Sequence, residues 1–212
     1  AGFPHKFKPK FFNICKFGII NLHAGKLPIY RGGSPLVWQI LKNERKIGIT
    51  IIKINNLLDG GDIICSTNFK NDKRFNIEMI QNKANKLFLN LTLKAIKILE
   101  KNLPLTKQPY SKSYFKQRTD KDALINFNKS NNAVYNLVRA QSAPYKGAFF
   151  FNNKKKFRLI RCVKSRLSPK VNIGKIFKVK LSKEYFVKCR KKSIKIIQLK
   201  PNKKYIKDFK TL

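Results

Sequence analysis

The amphipathic stretch from Asn76 to Leu103 is the feature that most constrains the fold. Its apolar residues recur at spacings of three and four, and Pro104 follows, so the sequence predicts one long helix. Two β-branched runs precede it, Gly18–His23 and Gly48–Ile54, and each ends in a turn signal. Between them, Ser34-Pro35 supplies an N-cap and a first-turn proline for a shorter helix. This alternation predicts an α/β layer with parallel strands.

The second half of the chain has a different character. The apolar periodicity fades around Leu105–Lys121, which predicts a linker, and a short helix follows at Ser130–Ala140. Five β-type runs come after Pro144, at a spacing of roughly ten residues that is typical of a small barrel or sandwich. They are Gly147–Phe151, Phe157–Val163, Ile176–Leu181, Tyr185–Cys189 and Ser193–Leu199. We therefore divide the chain into an α/β domain at 1–108, a linker and helix at 109–145, and a β domain at 146–212.

The charge of the chain is strongly unbalanced. It contains 48 Lys and Arg against 10 Asp and Glu, for a formal net charge of +38. Such a field attracts polyanions, which include RNA, phosphorylated small molecules and anionic lipid surfaces. The excess is nearly all Lys, however, and it accompanies abundant Ile, Asn and Phe, as in the proteins of AT-biased genomes. Composition alone therefore identifies no partner.

Cysteine and histidine usage gives no indication of a metal site. The four cysteines are far apart, with no C-x-x-C pair, and the chain has only two histidines. The sequence therefore predicts no metal and reduced thiols that behave as small apolar side chains. No apolar run reaches membrane-spanning length and no signal peptide precedes the first motif, so we expect a cytoplasmic enzyme with no membrane span.

Asn21, His23 and Asp59 form the best candidate reaction centre. Asn21 and His23 are two residues apart on a predicted strand, so their side chains leave on one face at its carboxyl end. Asp59 follows the next predicted strand. An Asn amide stabilises an oxygen that gains charge in a tetrahedral intermediate, and a His oriented by a carboxylate donates to that oxygen or moves a proton. With no Ser or Cys beside His23 in the motif, direct acyl transfer to an external amine fits best. The alternative is an ordinary strand end followed by a turn.

Two stretches resemble the hallmarks of one enzyme family. Asn21–Pro35 resembles the hallmark loop of the folate-dependent formyltransferases, and Leu58–Asp62 resembles their second hallmark. This family includes methionyl-tRNA formyltransferase, the amino-sugar formyltransferases and glycinamide ribonucleotide transformylase. The resemblance implies that Asn21, His23 and Asp59 are the catalytic triad. It further implies formyl transfer from 10-formyltetrahydrofolate to a primary amine through a tetrahedral intermediate.

The same resemblance implies a folate pocket and a truncated domain. The opening residues resemble the segment that forms one wall of the family's pterin pocket, which implies that His5, Lys6, Phe7 and Leu58 line the folate. The family's Rossmann-like domain begins with a βαβ portion upstream of such a segment. We therefore expect an N-terminally truncated domain, with an uncovered sheet edge that favours self-association, for example as a homodimer.

Three interpretations of the function are open: two differ in the acceptor, and the third has no transfer reaction. Tyr135–Ala140 and Pro144–Phe149 resemble the region after the catalytic domain in amino-sugar formyltransferases, which favours a nucleotide-linked amino sugar. The terminal β segment resembles the small OB-like barrel with which methionyl-tRNA formyltransferase contacts tRNA, so Met-tRNA is the alternative. The third interpretation is a non-catalytic remnant that binds nucleic acid through its basic surface. Four phenylalanines in this part belong either to an RNA-stacking surface or, as we favour, to the barrel core. They are Phe149, Phe150, Phe151 and Phe157.

Overall fold

The computed structural model describes residues 7–12, 14–111, 114–180, 184–206 and 208–211. The chain forms two compact units. The first consists of Ala1–Phe75 and Met79–Arg118, and the second of Asn76–Glu78 and Thr119–Leu212. The domain boundaries at 108 and 145 stay a prediction from sequence.

The first unit contains a three-stranded sheet of order β1-β2-β3, two helices and a 3₁₀ turn. The strands are β1 (Ile20–His23), β2 (Lys46–Lys53) and β3 (Ile63–Lys70). The helices are α1 (Pro35–Leu41) and α2 (Ile77–Glu100), and the 3₁₀ turn is Pro9–Phe11. Helix α2 confirms the long helix expected from the sequence, and within the first unit it buries Ile80, Ala84, Leu91 and Ala95 at helical spacing.

Helix α1 begins at Pro35, as predicted, but Ser34 makes no side-chain capping bond. Ser34 has a φ of 51°, in the left-handed region. Its hydroxyl instead accepts a hydrogen bond from the backbone amide of Arg118 at 3.1 Å. The Ser34 side chain therefore connects the start of α1 to the backbone at Arg118 instead of capping the helix.

The prediction of parallel strands is wrong, because β1, β2 and β3 are antiparallel throughout. His23 lies opposite Thr50, so β2 extends beyond the end of β1 and the connection between them starts and finishes at the same end of the sheet. The seven residues of α1 span roughly 10 Å, whereas the eight residues of β2 span roughly 26 Å. A helix this short does not return the chain along a whole strand, as a parallel crossover requires.

Strand β3 was not predicted. Its apolar residues are interrupted by Ser66, Thr67 and Asn68, so neither strict alternation nor a continuous apolar run marks it. The turn around Asp59–Gly61 reverses the chain and pairs β3 with β2. The turn that carries Asp59 thus connects two antiparallel strands, β2 and β3.

The second unit is a six-stranded sheet of order β4-β5-β8-β7-β6-β9 with helix α3 (Asn131–Ala140). The strands are β4 (Ala148–Asn152), β5 (Lys155–Ser165), β6 (Ile176–Lys178), β7 (Tyr185–Lys188), β8 (Ser193–Lys200) and β9 (Lys210–Thr211). The short helix and the five strands expected from the sequence are confirmed, and β9 is additional. Among the described residues no pairing joins β4 to β9, so a closed OB-like barrel stays a prediction.

Aromatic and aliphatic side chains fill the core of the second unit. Val134 and Val138 of α3 belong to this core, together with the stacked rings of Phe150 and Phe157, whose centroids are 5.8 Å apart. Phe149 is also buried, whereas Phe151 is 57% exposed. The interpretation of these phenylalanines as core residues is therefore confirmed for three of the four.

The buried cysteines carry free thiols, as expected. Cys65, Cys162 and Cys189 are free and buried. Burial raises the pKa of Cys162 to about 12 and that of Cys189 to about 11. Both groups therefore stay protonated at neutral pH and behave as small apolar side chains.

Candidate functional site

Asn21, His23 and Asp59 meet where β1 ends. The Asn21 Nδ2 donates a hydrogen bond to Asp59 Oδ1 at 3.3 Å, and His23 Nδ1 lies 3.5 Å from the same oxygen. The structure therefore brings the three predicted residues together around one carboxylate oxygen. The two-residue spacing of Asn21 and His23 on a strand produces this result, since both side chains leave on one face.

The carboxylate of Asp59 is held from its other side as well. Its Oδ2 accepts a hydrogen bond from the backbone amide of Gly32 at 2.9 Å. The side chains of Asp59 and His23 are only 10% and 6% exposed, so their interaction takes place largely out of water, where charges act more strongly. Asp59 has a φ of 48°, a left-handed conformation that Asp tolerates better than most residues.

The imidazole of His23 has a defined orientation. Its Nε2 lies 2.6 Å from the carbonyl oxygen of Tyr30. A carbonyl oxygen only accepts, so Nε2 must carry the hydrogen and donate it. Nδ1, which faces Asp59, is then the nitrogen without a hydrogen in the neutral imidazole. The sequence predicted the role of His23 but not which nitrogen is available for chemistry.

Two glycines let the loop after β1 close over this site. A Cβ at Gly25 would lie 2.5 Å from His23 Nε2 and 2.8 Å from the carbonyl oxygen of Tyr30. Gly32 has a φ of 96°, and a Cβ there would overlap the backbone of Phe115. Side chains at these positions would displace the carbonyl that orients His23 or the amide that holds Asp59.

Arg31 and Gln108 complete the surroundings of Asp59, and neither was predicted. Arg31 is 1% exposed, and its guanidinium donates to Gln108 Oε1 from Nε at 3.2 Å and from Nη2 at 2.9 Å. Gln108 Nε2 in turn donates to the carbonyl oxygens of Asp59 at 3.0 Å and Gly61 at 2.6 Å. Arg31 lies within the hallmark loop, whereas Gln108 lies in the stretch where the apolar periodicity fades and no local pattern indicates a role.

The chain after α2 is built into the site rather than serving as a loose connection. We call residues 106–111 and 114–118 the post-helix segment. The Phe115 amide donates to the Arg31 carbonyl and the Gly33 amide donates to the Phe115 carbonyl, both at 2.8 Å. The Phe115 ring stacks on Tyr30 with centroids 5.1 Å apart. The segment is thus bonded to the loop after β1, and the division into domain and linker at 108 stays a prediction.

Two of the four predicted folate-lining residues, Phe7 and Leu58, lie in the described ranges. His5 and Lys6 lie outside the described residues. Phe7 is half-buried, and Leu58, directly before Asp59, has a side chain that is 42% exposed. The assignment of these four residues to a folate pocket stays a prediction.

The described ranges contain neither a metal-binding group nor a membrane-spanning helix. No group of three or more His, Cys, Asp or Glu side chains in these ranges is arranged to hold a metal ion. In the same ranges, no helix is both long and apolar enough to cross a bilayer.

Comparison with known proteins gives a consistent result in both halves of the chain. Residues 1–96 match the family model "Formyl transferase", and residues 118–211 match "Formyl transferase, C-terminal domain". The chain is 32% identical over 193 residues to the bifunctional polymyxin resistance protein ArnA of Wigglesworthia glossinidia brevipalpis, with 87% of this chain and 28% of the relative covered. It is 33% identical over 153 residues to the methionyl-tRNA formyltransferase of Malacoplasma penetrans (strain HF-2), with 71% of this chain and 48% of the relative covered.

A solved structure supports the same fold. The N-formyltransferase from Helicobacter canadensis, in complex with folinic acid and dTDP-3-aminofucose, superposes with a TM-score of 0.64 at 22% identity. The alignment covers 85% of this chain and 66% of that structure. The chain spans less than half the length of each of these two sequence relatives. With matches to both domains of these enzymes, the chain belongs to the formyltransferase family.

Proposed function

We propose that this chain transfers a formyl group from 10-formyltetrahydrofolate directly to a primary amine. The observation that carries the proposal is the convergence of Asn21 and His23 on one oxygen of Asp59, in a largely buried site. The similarity in fold to a formyltransferase bound to folinic acid supports a folate as the formyl donor.

Asn21 is suited to stabilise the tetrahedral intermediate. As the amine attacks the formyl carbon, the formyl oxygen gains negative charge. One N–H of the Asn21 amide is directed to Asp59, and the second has no bond among the described residues, so it is available to that oxygen. Asp59 fixes the amide in this orientation, because its carboxylate accepts only from the nitrogen end.

His23 and Asp59 are suited to handle the proton. The Nε2 of His23 donates to the Tyr30 carbonyl, so Nδ1, beside Asp59, is the nitrogen that accepts a proton, and once protonated it donates to the oxyanion. The attacking amine must lose one proton, and the folate nitrogen that leaves the formyl carbon must gain one. His23 and Asp59, with water, provide the route between them, and the transfer balances without a metal or a redox partner.

The folate is proposed to lie against His5, Lys6, Phe7 and Leu58. Leu58 supports this assignment, since its side chain is half-exposed and directly precedes Asp59 in the turn. An apolar side chain beside a buried polar centre is typical of a small-molecule site.

A nucleotide-linked amino sugar is the acceptor we favour. The Helicobacter canadensis enzyme holds dTDP-3-aminofucose, and its fold is shared over most of this chain. Met-tRNA is the second candidate, supported by the 33% identity to the Malacoplasma penetrans methionyl-tRNA formyltransferase and by the +38 charge. A non-catalytic nucleic-acid-binding remnant fits the charge as well, but the assembled triad opposes it.

Direct assay tests the function and the acceptor together. The protein is incubated with 10-formyltetrahydrofolate and either a dTDP-linked amino sugar or Met-tRNA, and the formylated product is measured. We expect transfer to the sugar, with a loss of 100-fold or more in kcat for Asn21→Ala, which removes the donor (about 10²–10³ for one such donor). Asn90→Ala is the matched control, since Asn90 is exposed on α2. Transfer to neither acceptor would contradict the proposal. Transfer to Met-tRNA alone would make Met-tRNA the acceptor in place of the amino sugar.

A further inference from the structure

We propose that Gln108 is a positioning residue that keeps the Asp59 carboxylate in place between Asn21 and His23. Its effect on formyl transfer rests on the function proposed above, whereas its effect on the Asp59 turn does not. The inference follows from the hydrogen bonds of a single side-chain amide, which joins a buried arginine to two backbone carbonyls of the turn.

The orientation of the Gln108 amide is fixed by its partners. Arg31 can only donate, so the atom that it contacts must be the amide oxygen. The carbonyls of Asp59 and Gly61 can only accept, so the atom between them must be the amide nitrogen. The two N–H groups of Gln108 are thus matched by two carbonyls and its oxygen by one guanidinium.

These bonds close a ring around Asp59. Gly32 binds the Asp59 carboxylate, Arg31 precedes Gly32 in the chain, and Gln108 links Arg31 back to the Asp59 carbonyl. Asp59 has a left-handed backbone, which is disfavoured for a residue with a side chain, so the turn needs contacts that hold it in this conformation. Arg31 is a firm anchor, since it is 1% exposed and also donates to the Pro109 carbonyl at 2.9 Å.

The competing explanation is that Gln108 merely attaches the post-helix segment to Arg31. Gln108→Glu separates the two roles. A glutamate has nearly the same shape and accepts from Arg31 at least as well, but as a carboxylate it donates nothing to the Asp59 and Gly61 carbonyls. In this variant the hydrogen bonds from Arg31 are kept, and the two hydrogen bonds to the carbonyls of the turn are lost.

Backbone hydrogen exchange measures the two roles at neighbouring amides. The Gly32 amide donates to Asp59 Oδ2, whereas the Gly33 amide donates to the Phe115 carbonyl in the post-helix segment. We expect Gln108→Glu to accelerate exchange at Gly32 tenfold or more while Gly33 and the β2 amide of Ile51 stay within twofold of wild type. Gln108→Ala should accelerate both Gly32 and Gly33. Gln198→Glu, at an exposed position on β8, is the matched charge control.

Kinetics then connect the turn to catalysis. We expect Gln108→Glu to lower kcat tenfold or more with KM for the folate little changed, and to cause no further loss in an Asp59→Asn background, because Gln108 acts through Asp59. Unchanged Gly32 exchange in Gln108→Glu would overturn the inference, as would equal acceleration at Gly32, Gly33 and Ile51. If the wild-type protein transfers no formyl group, the proposed function fails and the exchange data alone decide the role of Gln108.

Discussion

At the scale of single residues, the two oxygens of Asp59 have different tasks. Oδ1 faces Asn21 and His23, and Oδ2 accepts from the Gly32 amide. Asp59→Asn keeps an acceptor for Gly32 and tolerates the left-handed backbone, but it removes the negative charge. We therefore expect kcat to fall about 100-fold or more, within the usual range for losing one partner in proton transfer, while the unfolding midpoint barely changes.

Asp59→Ala provides the comparison for that variant. Alanine loses the acceptor for Gly32 and is less tolerant of a positive φ, so the unfolding midpoint should fall as well as kcat. Steady-state kinetics and urea unfolding of the two variants separate these effects. A kcat near that of wild type in Asp59→Asn would show that the charge takes no part in the reaction.

Some residues of this centre could be predicted from the sequence and others could not. Asn21 and His23 were identifiable because they lie two residues apart on one face of a strand and within the stretch that resembles the family's hallmark loop. Gln108 is 77 residues from Arg31 and is joined to it only by tertiary contact, so no local periodicity could indicate it. The His23 tautomer likewise depends on the Tyr30 carbonyl, whose direction is set by the folded loop.

At the scale of elements, the helices and most strands were predictable from periodicity, but the direction of the strands was not. Periodicity reports which face of a strand is buried and is the same for parallel and antiparallel neighbours. The direction depends on where the connections run, and here the short α1 and the turn at Asp59 return the chain to the end that it left. In this arrangement β2 ends opposite the start of β1, with Lys53 paired to Ile20, and the turn after β2 places Asp59 against Asn21 and His23.

A bidentate ion pair joins two elements of the second unit, and it predicts a pH dependence. Arg158 of β5 donates to both carboxylate oxygens of Asp120, in the 3₁₀ turn Asp120–Ala123, at 2.7 Å each. The Arg158 guanidinium holds the pKa of Asp120 at about 2, below its ordinary value of 3.8. The stabilisation that this ion pair gives the folded state is therefore complete above about pH 4 and is lost as the pH falls through about 2.

Thermal unfolding from pH 7 to pH 2 tests this pair. We expect Asp120→Asn to lower stability by about 0.5–1 kcal/mol at pH 7, a small value because the Asp120 side chain is 38% exposed to screening solvent. The difference from wild type should disappear towards pH 2. Arg158→Lys keeps the charge but loses the planar fork, so it should give an intermediate loss. A difference that persists unchanged at pH 2 would show that the pair contributes no pH-dependent stability.

At the scale of the whole molecule, the net charge of +38 raises the question of whether it serves recognition. Positive charge that is dispersed over a chain binds any polyanion through counterion release, without preference for sequence or shape. If the charge reflects composition alone, we expect RNA to bind with an affinity that falls about 10³-fold between 50 and 200 mM salt, as for roughly six phosphate contacts. Met-tRNA, an unrelated RNA of equal length and inorganic polyphosphate should then compete about equally.

Salt titrations of binding, followed in parallel with formyl transfer, distinguish this outcome from tRNA recognition. Transfer to a small nucleotide-linked amine requires the triad and few phosphate contacts, so its rate should depend far less on salt than RNA binding does. Polyphosphate that displaces RNA should leave the rate of transfer to a dTDP-linked amino sugar within about twofold of its value without polyphosphate. A larger fall in the rate would show that the same cations bind the nucleotide. A preference of tenfold or more for Met-tRNA that survives at 200 mM salt would instead require contacts that read its structure. The charge would then belong to the acceptor site, and Met-tRNA would replace the amino sugar as the favoured substrate.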